Sequence, residues 1–304
     1  MDTTFSRILL RSLLTVFAMM TGISVAHADH SWGEYHWART NNPFVLYVGD
    51  NLTTGDWKTQ LGNVLNDWNN PNGAEDGGYV NTVDSTGDIF VQPRLATGVG
   101  GSSCSAVQGT TQVCNKKYGK NGWLGLATIW LSSSHINQGT AKMNDTYLGA
   151  INGKYNTASE RRHVMCQEVA HTFGLGHQST TGASLNTCMD YYSNTGINAT
   201  STLSTRPDNH DFQQLHDIYV QHTDGFYSAS QTVAAMTMAP ARANAQDVED
   251  QKSWGRLLSQ SEDGRSSIYE QEGDVGVKII RHVLWTDETA EKCQKCDHRT
   301  HEKE

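Results

Sequence analysis

The sequence predicts a mixed α/β (α+β) fold, because segments rich in β-forming residues alternate with amphipathic helical patterns. Apolar residues recur at helical spacing at 56–70 and 208–222, and local start and stop signals bound a further helix at 157–174. Short runs rich in apolar and β-forming residues predict strands at 43–48, 88–93, 122–131 and 139–149. Together these segments are long enough to form one core domain with its own hydrophobic interior.

Local signals mark where the predicted helices begin and end. The sequence "PNG" at 71–73 stops the first helix. Thr157 and Glu160 form a capping-box pattern at the start of the second helix, and Gly174 suits a left-handed residue at its end. Asp208 or Asn209 can cap the third helix. The first helix presents one apolar face, made of Trp57, Leu61, Val64, Leu65 and Trp68.

The first 28 residues have the features of a secretory signal peptide. Arg7 and Arg11 give a positive start, residues 12–25 are mostly apolar, and "AHA" at 26–28 is a small-residue cleavage site. No later segment is apolar enough to span a bilayer. We therefore expect cleavage near Ala28 and a secreted, extracellular or periplasmic protein without a membrane span.

The charge of the chain limits its partners. The formal net charge is −9, and the signal peptide contributes +1 through Arg7, Arg11 and Asp2, so the mature chain carries about −10. Such a surface repels nucleic acids and anionic membranes. We expect a monomer that acts on a peptide or protein outside the cell.

Composition also predicts how the chain is divided. Residues 29–225 form the main domain, and an Ala-, Ser- and Thr-rich stretch at 226–252 is typical of a linker. Three short strands separated by glycine turns predict a small β element at 253–288. A polar tail at 289–304 ends the chain.

The stretch "CQEVAHTFGLGH" at 166–177 carries the strongest chemical signal. It approaches the zinc-site pattern H-E-x-x-H-x-x-G-x-x-H. Glu168, His171, Gly174 and His177 occupy matching positions, whereas Gln167 stands where the first histidine is expected. Residues four apart share a helix face, so Gln167 and His171 point the same way. The spacing predicts a metal site beside a carboxylate that is not itself a ligand.

Together with "TCMDY" at 187–191, this motif resembles the metzincin zinc metallopeptidases. The resemblance covers about residues 35–225 and implies a metzincin-like catalytic domain with a twisted mixed sheet, a motif helix and a Met-turn containing Met189. It implies that Zn²⁺ is bound by His171 and His177, with Glu168 as the general base. It also implies that "GWLGLATIWL" at 122–131 is the sheet-edge strand that binds substrate.

Gln167 is the departure from the family pattern, and it leaves alternatives open. An amide oxygen can bind zinc but is a weaker donor than imidazole, so Gln167 is expected to be a weak third ligand. The alternatives are a weak or inactive enzyme-like protein that binds peptide, and a structural protein whose histidines bind metal incidentally. His163, one turn before Gln167, is either a surface residue or a hydrogen-bond partner of Gln167.

All six cysteines follow the cleavage site, which favours disulfides in an exported protein. We expect Cys104–Cys114 as a local loop closure and Cys166–Cys188 as a longer link, with free buried thiols as the alternative. By the resemblance, the second bond would attach the motif helix to the Met-turn. The C-terminal "CQKCDHRTH" offers four metal-binding side chains in nine residues, but a disulfide or a tail is the simpler interpretation.

Overall fold

The computed structural model describes residues 30–33, 35–39, 43–71, 90–179, 184–219, 250–273, 276–292, 295–300 and 302–303. The expected signal peptide and all but the end of the expected linker lie outside these residues. The predicted mixed fold is confirmed, since helices accompany one nine-stranded sheet. Within the described part of the chain, no helix is both long and apolar enough to cross a membrane.

The first six strands in chain order form one side of the nine-stranded sheet. They are β1 (His36–Trp37), β2 (Phe44–Asn51), β3 (Val91–Thr97), β4 (Thr110–Lys116), β5 (Trp123–Ser132) and β6 (His135–Asn144). Strands β3, β2, β4 and β6 are neighbours in that order and run parallel to one another. Strand β5 pairs antiparallel with β6, and the short β1 pairs parallel with β6.

All three predicted helices are present. They are α1 (Gly55–Trp68), α3 (Ala158–His171) and α4 (Asn209–Tyr219), with a four-residue helix α2 (Asp145–Leu148) between the first two. The apolar face predicted for α1 is buried in the main core. The Asp208 carboxylate accepts a hydrogen bond from the Asp211 amide, as expected of a cap on α4.

Half of the capping box predicted for α3 forms. The Thr157 hydroxyl accepts a hydrogen bond of 2.9 Å from the Glu160 amide. The Glu160 carboxylate does not complete the box; it accepts a hydrogen bond from the Asn194 amide, 2.6 Å away. The start of α3 is therefore tied to the loop after the Met-turn, because Glu160 is buried there and binds a tertiary partner.

One predicted strand has different bounds in the structure, and one strand was not predicted. The strand expected at 139–149 is β6 (His135–Asn144), which starts earlier and gives way to helix α2. Strand β4 was missed because "TTQVCNK" is polar and lacks an apolar alternation. Six of its seven residues are nevertheless buried, since the strand lies between β2 and β6 inside the sheet.

The three strands predicted near the C-terminus are present but continue the main sheet. They are β7 (Arg256–Gln260), β8 (Ser266–Glu272) and β9 (Val277–Trp285), followed by α5 (Asp287–Lys292), β10 (Cys296–Asp297) and β11 (Glu302–Lys303). Strand β9 pairs antiparallel with β5 from Trp123↔Trp285 to Ser132↔Val277. The expectation that β5 is an edge strand is therefore wrong. Its free backbone groups are taken by β9, a pairing that no local sequence pattern reveals.

Strand β9 is an integral part of the core. Ile280 and Leu284 pack in the main hydrophobic cluster, while Val283 and Trp285 pack in a second cluster with Trp123. Burying each of these side chains contributes about 1.5–3 kcal/mol. Their sum is comparable to the whole stability of a typical domain, about 5–15 kcal/mol. Detaching β9 while the rest of the fold persists is therefore strongly unfavourable.

We expect Leu284→Ala to destabilise the whole protein by about 2–5 kcal/mol, because it removes a buried side chain of the main core. The matched control is Leu258→Ala in β7, where the leucine is 41% exposed. Urea unfolding followed by circular dichroism measures both. A separate unfolding transition of the C-terminal strands at lower urea would contradict one continuous sheet, if Leu284→Ala shifted its midpoint and left the midpoint of the main transition unchanged.

Candidate metal centre

Three histidines lie close together in the described part of the chain, and they could hold a metal ion. They are His171 at the end of α3, His177 shortly after it, and His282 in the middle of β9. One ring nitrogen from each lies within 4.8 Å of the others. The motif predicted His171 and His177. It did not predict His282, which has no motif around it and reaches the site only through the β5–β9 pairing.

The spacing of the ring nitrogens suits a tetrahedral metal. The Nε2 atoms of His171 and His177 are 3.2 Å apart. Two ligands at about 2.0–2.1 Å from a tetrahedral zinc ion would be about 3.3–3.4 Å apart. The ring of His282 stacks on that of His171 with centroids 3.9 Å apart, and it lies 5.2 Å from the ring of His177.

Hydrogen bonds orient two of the three rings. His171 Nδ1 lies 2.7 Å from the Leu175 carbonyl oxygen, to which it donates. His177 Nδ1 lies 2.7 Å from the Tyr191 hydroxyl. Metal-binding histidines commonly use one nitrogen in this way, which leaves the other for the metal. In this site the Nε2 atoms of His171 and His177 are the nitrogens available to a metal.

The third ring has no such partner. Neither ring nitrogen of His282 has a hydrogen-bond partner among the described residues, although the side chain is buried. A buried polar atom without a partner costs about 1–3 kcal/mol. A metal ion at the cluster would satisfy one nitrogen of His282, so the residues present fit a bound metal.

The pKa values of all three histidines favour the metal-binding form. Burial lowers the pKa of His171 to about 3. Burial, and then the other histidines nearby, lowers the pKa of His177 and of His282 well below the ordinary value. All three imidazoles are therefore neutral at pH 7, and neutral imidazole is the form that binds a metal.

A sharp turn lets His177 come back toward His171. Gly174 has φ +100°, and a Cβ there would collide with the Tyr35 carbonyl oxygen, so glycine is required. This agrees with the left-handed residue predicted from the sequence. The Trp32 amide donates to the Gly174 carbonyl oxygen at 3.1 Å, and the Trp32 ring stacks on His282 with centroids 3.6 Å apart. The N-terminal segment thus covers the cluster.

Gln167 is buried and connects α3 to the Met-turn. Its amide nitrogen donates to the carbonyl oxygens of Cys188 and Asp190, at 3.0 and 2.7 Å. Its amide oxygen has no hydrogen-bond partner within the described part of the chain. The oxygen is therefore chemically free to bind a metal, and the role of Gln167 as a weak ligand stays a prediction.

His163 is a buried neighbour of Gln167. Its side chain is only 2% exposed, so the surface alternative is wrong. Its Nε2 lies 3.5 Å from the Gln167 amide nitrogen and 3.2 Å from the Asp190 carbonyl oxygen. Its Nδ1 contacts the Asn194 side chain. His163 therefore helps to hold the same loop that Gln167 holds.

Glu168 lies against the backbone of β5. A Cβ on Gly125 would collide with the Glu168 carboxylate, so glycine in β5 makes room for it. Burial raises the pKa of Glu168 well above its ordinary value, and the backbone amide of Ala127 offsets only part of this. Ala127 pairs with His282 across the β5–β9 ladder. Ala127 of β5 is thus a neighbour of both Glu168 and His282.

The Met-turn is attached to the motif by a disulfide and a backbone hydrogen bond. Cys166 and Cys188 are bonded, with Cα atoms 5.9 Å apart, as expected. Met189 is completely buried, and its carbonyl oxygen accepts a hydrogen bond of 2.9 Å from the Gln178 amide, next to His177. The expected Cys104–Cys114 bond is also present.

The C-terminal cysteine and histidine pattern does not supply a competing site through its described members. Cys296 is disulfide-bonded, so its thiolate is not free to bind a metal. The ring of His298 is buried, and its Nε2 lies 2.7 Å from the Gly264 carbonyl oxygen. Cys293 and His301 lie outside the described residues.

We expect each of His171→Ala, His177→Ala and His282→Ala to weaken zinc binding by at least tenfold, because each removes an imidazole donor. The control is His135→Ala, since His135 is not part of the cluster. Competition with a chromogenic chelator measures the affinity. Unchanged zinc affinity in His282→Ala would exclude this histidine as a ligand.

We expect the double substitution Cys166→Ala and Cys188→Ala to lower the stability by about 2–4 kcal/mol, because the unfolded chain loses a crosslink. Zinc affinity should fall as well, since Gln167 and Met189 adjoin the two cysteines. The same double substitution at Cys104 and Cys114 should lower stability with little effect on zinc. Equal losses of zinc affinity in the two variants would contradict a specific link to the metal centre.

Comparisons with known proteins found no match. No family model, no curated protein and no solved structure matched the chain.

Proposed function

We propose that this chain is a secreted zinc-dependent metallopeptidase of the metzincin type. In this proposal His171, His177 and His282 bind Zn²⁺, and Glu168 is the general base. The observation that carries the proposal is the convergence of three neutral imidazoles, with the Glu168 carboxylate buried against β5, the strand that pairs with the His282 strand. A metal-bound water and a nearby base are what metal-assisted hydrolysis of an amide requires.

The ligand set favours zinc over harder metals. Imidazole nitrogen suits zinc, whereas magnesium and calcium prefer oxygen ligands. Three protein ligands leave a fourth position for water, as in catalytic zinc sites. The free amide oxygen of Gln167 is a weak competitor for that position, because a neutral amide is a poorer donor than imidazole.

The chain's own groups have separate tasks in hydrolysis. When bound, zinc supplies a polarised water and a Lewis acid. Glu168 would accept a proton from the attacking water and return it to the nitrogen of the leaving amine. Burial raises the pKa of Glu168, which favours holding the proton between the two events, whereas a bound cation would favour the ionised form that begins the reaction. Leu175 and Tyr191 keep two of the ligand rings in position.

The substrate is proposed to be a peptide or protein outside the cell. The expected signal peptide and the two observed disulfides both suit an exported protein. The net negative charge disfavours nucleic acid as a substrate.

The second candidate is a metal-containing protein that binds peptide but does not cleave it. Two observations favour it. Gln167 uses its amide nitrogen to hold the Met-turn, and Glu168 is completely buried beneath β5. In this alternative the retained carboxylate has no catalytic task, and its replacement leaves peptide binding intact.

A cleavage assay on zinc-loaded protein separates the two candidates. We expect Glu168→Gln to lower peptide cleavage by about 10²–10⁴-fold, because the base is lost, while zinc stays bound. Gln167→His should tighten zinc by one to two orders of magnitude, about 1.4–2.8 kcal/mol, and preserve or raise activity.

The assay uses a broad peptide library, with mass spectrometry to detect products. Glu160→Gln is a matched control, because Glu160 is a buried carboxylate on the same helix. If wild type and Gln167→His bind zinc but cleave no faster than Glu168→Gln, the enzyme proposal fails and the peptide-binding candidate replaces it.

A further inference from the structure

A cavity of about 400 Å³ opens beside the metal centre. Two of the three clustered histidines, His177 and His282, line it. Its other walls come from the N-terminal residues 30–33 and Tyr35, from Tyr191 and from strands β7–β9. The cavity therefore gives a ligand access to the cluster at His177 and His282; His171 and Glu168 do not line it.

Apolar and aromatic side chains supply much of the described lining. They are Trp32, Tyr35, Tyr191, Leu258, Ile268 and Ile280. Among the described residues, no lysine, arginine, aspartate or glutamate lines the cavity; the polar members are serines, one glutamine and the histidines. Away from the histidines, a charged side chain would meet no described counter-ion, whereas an apolar side chain would be favoured.

Strand β5 is not available for a peptide to pair with. An extended peptide commonly binds by adding a strand to an open sheet edge. Strand β5 has no open edge beside the cluster, because it pairs with β6 on one side and with β9 on the other. Strand β9 itself contributes to both large hydrophobic clusters, so it does not leave easily.

We infer that this cavity receives an uncharged, apolar side chain of a short peptide and presents that residue to the metal. Its volume lies near the lower end of small-molecule pockets, about 300–1,000 Å³. That size suits a compact residue rather than a long extended chain. The inference rests on the proposed metal centre and goes further, because it names the route and the class of substrate.

Binding of two hydroxamates to cobalt-loaded protein tests the cavity without requiring turnover. Acetohydroxamate probes the metal alone, and a hydroxamate bearing a leucine-like isobutyl group probes the metal and the cavity. The visible cobalt spectrum reports binding. For wild type we expect the isobutyl compound to bind at least tenfold more tightly than acetohydroxamate.

Leu258 offers a position at which to fill or charge the cavity. We expect Leu258→Trp to abolish the tenfold preference and Leu258→Glu to weaken the isobutyl compound, with cobalt and acetohydroxamate affinity unchanged in both. Leu203→Trp is the control, since Leu203 is similarly exposed, at 45% against 41%, and does not line the cavity. A preference that survives both Leu258 variants overturns the inference.

A reversible disulfide crosslink tests whether β9 must separate from β5 for a ligand to bind. Ser132 and Val277 pair at one end of the β5–β9 ladder, so Ser132→Cys with Val277→Cys can form a disulfide across it. We expect the isobutyl hydroxamate to bind oxidised and reduced forms within twofold, with wild type treated identically as the control. Binding that is lost on oxidation and restored on reduction would show that ligands replace β9, which overturns the cavity route.

The two proposals fail in different ways. Failure of wild type to bind zinc or cobalt overturns both. Metal binding and Glu168-dependent cleavage, together with unchanged ligand preference in the Leu258 variants, overturn only the cavity. A cavity-dependent preference without any cleavage supports the cavity and overturns the enzyme.

Discussion

The pairing of β9 with β5 is the interaction on which the rest of the site depends. It brings His282 to His171 and His177, and it covers the part of β5 against which Glu168 lies. It also turns an expected edge strand into an interior strand, and an apolar cavity walled in part by β7–β9 adjoins the histidine cluster. One set of backbone hydrogen bonds thus brings the three histidines together and places the cavity beside them.

The helix α3 buries several polar side chains close to the histidine cluster. Every residue from His163 to His171 is buried, including four polar side chains. Buried polar groups normally find hydrogen-bond partners. Here the amide nitrogen of Gln167 does so on the loop at 187–191, but its oxygen and both nitrogens of the His282 ring have none among the described residues. A metal ion at the histidine cluster would satisfy one nitrogen of the His282 ring.

Gln167 and His282 together account for the departure from the motif. In the expected arrangement, one helix and one turn would supply all the imidazoles. In this structure the glutamine amide holds the Met-turn, and a strand from the C-terminal part of the chain supplies the third ring. The amide nitrogen of Gln167 thus has a structural role, while three imidazoles still meet at the cluster. The proposed hydrolase and its non-cleaving alternative differ only in whether a water and a substrate reach Glu168.

Features that depend on neighbours along the chain could be predicted from the sequence. Helical periodicity identified α1 and α4, and the Thr157 cap and the Gly174 turn identified α3 from local backbone chemistry. The spacing of His171 and His177 follows from the end of α3. The partners of those elements were decided only by tertiary structure. Polar strand β4 is buried because of its two neighbours, and His282 joins the cluster because β9 pairs with β5. Strand pairing between distant segments depends on which sheet edge remains open and which apolar faces fit together, and neither is encoded in a local pattern.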